Sequence, residues 1–67
     1  LNPFAKVGEK AARENRKNVE YLSKKLTKYY KKDLDNKILN QDDFNDRMVP
    51  ITEAQKLAEK MEASFKK

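Results

Sequence analysis

An all-α fold is predicted for this chain, and three observations carry the prediction. Between Asn18 and Leu34, residues advancing 100° per step put Val19, Leu22, Leu26, Tyr29, Tyr30 and Leu34 in one arc of roughly 140°. Near the C-terminus, Ala54, Leu57, Ala58, Met61 and Phe65 recur at helical spacing. Helix-start signals stand before each periodic stretch, at Asn2-Pro3, at Asn40, and at Thr52 with Gln55. The architecture they imply is one long N-terminal helix over residues 3–35. Two shorter helices, 41–48 and 52–66, fold back on its C-terminal half.

The first helix starts favourably, because asparagine caps free amides and proline at the first helical position loses no donor. Its apolar stripe changes character along its length. Large residues follow Val19, whereas Phe4, Ala5, Gly8, Ala11, Ala12 and Asn15 precede it. Small residues let a second helix approach closely but bury little area, so residues 1–18 are expected to project as an arm. Residues 19–67 are expected to form the compact helical unit. The segment 33–48 turns the chain around. Asn40 reads as an N-cap, Asp42 and Asp43 suit the positive end of a helix, and Leu39 with Phe44 fits a hydrophobic staple. Pro50 is expected to end the second helix. Thr52 with Gln55 then has the spacing of a capping box for the third. Ile38, Leu39, Phe44, Val49 and Ile51 are expected to close the core.

That core is thin. Apolar residues make up 37% of 67 and charged residues 40%. A chain this short hides only about 60% of its unfolded surface, and small scaffolds commonly add disulfides, a metal or a partner. There is no cysteine and no histidine. A partner, another copy or a larger assembly, is the remaining support. No cofactor is expected. Without cysteine, and without an apolar run near the ~20 residues of a membrane span, the expected setting is intracellular and reducing, most simply the cytoplasm. The first residue is Leu1, not methionine, which is compatible with a fragment, a processed chain or a trimmed one and leaves open whether the chain is complete.

The chemistry on offer is binding chemistry. Lacking histidine and cysteine, the chain lacks the commonest general bases, nucleophiles and transition-metal ligands, and an enzyme is not expected. Asp33, Asp35, Asp42, Asp43 and Asp46 concentrate carboxylates, but without the glycine and terminal glutamate of a calcium loop. They read as helix-start and loop charge. The net charge of +5 is uneven: residues 1–34 carry ten basic and four acidic groups, residues 35–51 two and four. Lys17, Lys24, Lys25, Lys28, Lys31 and Lys32 occupy the arc opposite the apolar one, with Tyr21 among them. That ridge suits phosphate contact, with Tyr21 placed to stack on a base. It also reads as an ordinary solvated face. Only three arginines are present, so bidentate base reading is not indicated.

Two short stretches carry resemblances. Leu1-Asn2-Pro3-Phe4-Ala5-Lys6-Val7 resembles a segment of the fourth large-subunit ribosomal protein of eukaryotes, just before its variable C-terminal extension. That resemblance implies a helical extension lying on rRNA, with the lysine face at phosphates. Leu34 to Phe44, with Met48, resembles the short helical domain at the C-termini of many bacterial proteins. Asn36-Lys37 stands here in place of the family's glycine. This second resemblance implies oligomerisation or docking.

Three functional readings follow. The first is a non-catalytic helical subunit docking on a protein partner or on itself through Phe4, Gly8, Ala11, Ala12 and Asn15. The second is an RNA-associated segment using Lys17, Tyr21, Lys24, Lys25, Lys28, Lys31 and Lys32. The third is a regulator or inhibitor of a larger enzyme. No small-molecule substrate is expected.

Overall fold

A computed structural model describes residues 3–65. They form a helical hairpin: α1 (Pro3–Asp35) and α2 (Gln41–Ala63), antiparallel and joined by residues 36–40. The Cα envelope measures 54 × 16 × 12 Å with a radius of gyration of 15.7 Å. A compact domain of this length would have roughly 11 Å, so the hairpin is a rod.

The expectation of three helices is corrected. Residues 41–48 and 52–63 belong to one helix, which runs through Pro50 without a break. Packing explains why. Phe44, Met48, Ile51, Gln55, Ala58 and Glu62 are all buried or half-buried. Their spacing alternates between four and three residues, which keeps one stripe of α2 against α1 only while the helix continues. An interior proline costs about 3 kcal/mol or more, through a lost hydrogen bond and a ring clash. Pro50 is exposed, as is Asp46, whose carbonyl loses its helical donor and can turn to water. Thr52 is therefore mid-helix rather than a cap. Ile51 closes the core at 8% exposure, whereas Val49 and Ile38 stay 53% and 69% exposed.

The reversal is built from two caps. After α1, Lys37 takes a left-handed conformation, φ 62°. The Ile38 amide donates to the Asp33 carbonyl at 2.8 Å, and the Lys37 amide to the Leu34 carbonyl at 3.1 Å. This is the Schellman pattern, whose left-handed position normally holds glycine. At the other side Asn40 is extended, and its side chain accepts the Asp43 amide at 2.8 Å. Asp42 and Asp43 lie in the first turn, where the helix dipole favours them.

The N-terminal half of α1, expected to project, is covered by α2 from Gly8 onward. Phe65 lies over Gly8, where an added Cβ would stand 2.9 Å from the ring. Ala12 is 5% exposed. Gly8 and Ala12, expected to receive a foreign helix, are thus covered by the chain's own C-terminal segment, while Ala11 and Asn15 stay exposed.

Two substitutions check this account by urea denaturation with circular dichroism. Lys37→Gly relieves the left-handed strain and should stabilise the hairpin by about 1 kcal/mol. Pro50→Ala restores an interior donor and should add about 1–3 kcal/mol together with more helical signal. A helix broken at Pro50 would show no such gain.

Candidate interaction surfaces

The seam between the helices is lined by small and polar groups. Among the described residues, the buried apolar ones are Ala12, Ile51 and Ala58, accompanied by Ser23 and Glu62. Ser23 is small enough for close helix approach, and its carbonyl accepts the Thr27 hydroxyl at 2.7 Å. The same hydroxyl lies 3.7 Å from the Met48 sulfur across the seam. Farther along, the Arg16 guanidinium donates to Glu62 of α2 through Nε and to Glu20 through Nη1, the latter at 2.9 Å. Hydrogen bonds to Glu20 and then Glu62 raise the pKa of Arg16 above its ordinary value. A raised value keeps the group charged at all pH below its already high unfolded pKa, so the contact does not vary across the neutral range.

Each side of the seam then has its own character. On one side lies a groove lined by Val19, Leu22, Leu26, Tyr30, Pro50 and Ala54, with Arg47 at its end toward the turn. The Arg47 guanidinium sits 5.5 Å from the centre of the Tyr30 ring. Leu22 is 56% exposed and Leu26 41%. By helical position Leu57 and Met61 extend this face along α2, and they too are about half exposed. These side chains were expected in the core. One partner helix covers only part of an arc as wide as that of α1, and the remainder faces water.

On the opposite side, Lys24, Lys28, Lys31 and Lys32 line a shallow groove with Ser23, Thr27, Asp35 and Gln55. Of the residues expected to face phosphate, Lys17, Tyr21 and Lys25 are likewise exposed on α1. The Lys25 ammonium lies 4.8 Å from the Tyr21 ring centre, so the tyrosine face is already covered by a cation. Of the residues expected to face a partner, Phe4, Ala11 and Asn15 are exposed, Gly8 is half-buried and Ala12 is buried. Gly8 and Ala12 serve the internal seam.

Among the described residues no three carboxylates gather where they could hold a metal ion. No described helix is long and apolar enough to cross a membrane. No protein-family model, curated protein or solved structure matches the chain.

The seam contact has a measurable signature. Removing Arg16 takes a charge-assisted hydrogen bond from the buried Glu62 carboxylate, which is costly. Replacing both partners by apolar side chains removes that cost. Arg16→Leu should therefore lower the thermal midpoint of the hairpin, and Arg16→Leu with Glu62→Leu should restore it or exceed it, as read by circular dichroism.

Proposed function

We propose that this chain is a non-catalytic helical interaction module that docks on protein through the apolar face bearing Leu22, Leu26, Leu57 and Met61. The observation that carries the reading is the placement of these side chains. All four are 41–61% exposed, and they stand on the same side of both helices. Exposed apolar surface of this continuity is characteristic of interaction sites. Its centre holds no charged group, and Arg47 marks one end, in keeping with the apolar centre and polar rim of protein interfaces.

The lysine groove supports a second reading, contact with nucleic-acid phosphates. Four lysines share one groove, and the attraction would be nonspecific and salt-dependent. The apolar face ranks first on energetic grounds. Exposed lysines are already well solvated, whereas exposed leucines gain about 25 cal/mol for each Å² covered. The same geometry argues against a lipid surface as the docking partner, since the lysine groove points away from the apolar face rather than toward the headgroups that would surround it.

A photoreactive amino acid at Leu57, compared with one at Lys28, separates the two readings in the cell of origin. Docking through the apolar face gives protein adducts from position 57 and few from position 28. Adducts to nucleic acid from position 28, with none from position 57, would reverse the ranking.

A further inference from the structure

We infer that the occupant of the apolar face is a second copy of this chain, two hairpins stacking into a four-helix bundle. This rests on the docking reading above and names its partner.

The face is two helices wide. Leu22 and Leu26 approach the middle of the groove with Pro50 and Ala54. Tyr29 on α1 and Leu57 on α2 lie toward the outer edges by helical position, and they are 64% and 61% exposed. A single helix laid in the groove would cover the inner residues and leave the outer ones wet. Another two-helix face covers both. The area sets the expected strength: α2, 23 residues, is about 35 Å long, so across a Cα envelope 16 Å wide the two-helix face measures roughly 550 Å², at the small end of specific interfaces.

The rim charges are self-complementary. Along the outer edge of α1, Lys25 and Lys32 lie toward the turn and Glu14 toward the open end. Along the outer edge of α2 the order is reversed, with Asp46 and Glu53 toward the turn and Lys60 toward the open end. Two-fold stacking has two forms. With the turns at opposite ends, α1 lies on α1 of the other copy, and Lys25 meets Glu14 while Glu53 meets Lys60. The dyad then passes between Val19 and Glu20 on α1 and between Lys56 and Leu57 on α2. These levels face one another across the seam, as the flanking contacts Arg16–Glu62 and Thr27–Met48 fix. With the turns at the same end, α1 lies on α2 of the other copy. Lys25 and Lys32 then meet Glu53 and Asp46, and Glu14 meets Lys60. In both forms unlike charges oppose, as specific association requires. Lys24, Lys28 and Lys31 of the lysine groove stay on the outside.

Sedimentation equilibrium from about 5 to 500 μM, the range in which an interface of this size shows its association, tests the inference. The expected result is a species of twice the 7.9 kDa chain mass. Leu57→Lys should weaken association at least about tenfold, as burying an unpaired charge does. Lys28→Glu, on the opposite side, should leave it unchanged. Because Leu57→Lys could unfold the hairpin, a second pair of variants reads the face directly. Ala54→Cys should give covalent dimers with a bismaleimide, and Thr52→Cys, exposed on the far side of α2, should not. A single-chain mass throughout the range overturns the second copy, as does equal cross-linking from both cysteines. If the chain is monomeric but Leu57 photo-cross-links to a different protein, the docking reading stands and the occupant is foreign. If it is monomeric and Leu57 yields no protein adduct, both fall.

Discussion

The apolar arc of α1 is wider than one helix can cover, and most of the structure follows from that mismatch. Val19, Leu22, Leu26, Tyr29, Tyr30 and Leu34 spread over roughly 140° of the wheel. The antiparallel α2 rests on one edge of the arc. It buries Ala12 and Ser23 and half-buries Thr27, Tyr30 and Leu34, while Leu22, Leu26 and Tyr29 remain exposed. Leu57 and Met61 of α2 fall on the same open side. The exposed apolar face of the hairpin is the direct consequence of having two helices where the arc is wider than one partner helix covers.

The seam itself adds little hydrophobic burial. Two of its three buried apolar residues are alanines, and no large side chain is completely buried. Its definition comes from shape and from pairing. Gly8 admits the Phe65 ring, Ser23 permits close approach, and the Arg16 contact with Glu62 fixes the register of one helix on the other. A partly buried charged pair is weak support for stability but favours one register, because a shift of one helix on the other breaks the Arg16 contact. The continuity of α2 through Pro50 belongs to the same account. The stripe from Phe44 to Glu62 keeps one phase, and the proline is placed where its missing donor matters least.

The two faces divide the functional possibilities by physics. The lysine groove is solvated and self-sufficient, and any partner there competes with water and salt. The apolar face is costly as it stands and gains from being covered. Its rim charges are arranged so that the same surface, turned over, satisfies itself.

Much of this was legible in the sequence. The span of α1, the Asn40 cap with Asp42 and Asp43 behind it, and the separation of lysines from leucines all follow from local chemistry and helical period. What the sequence left open was decided by packing over distance. A proline reads as a stop because its cost is local and fixed. At Pro50 that cost is outweighed by a stripe running from Phe44 to Glu62, which no local window registers. Gly8 and Ala12 read as a platform for a foreign helix because small residues state only that something comes close. That the visitor is α2 depends on how far past Pro50 the second helix runs. Leu22, Leu26, Leu57 and Met61 read as core because they are apolar and periodic. Only the number of helices that fold onto α1, a property of the whole chain, decides that they face outward.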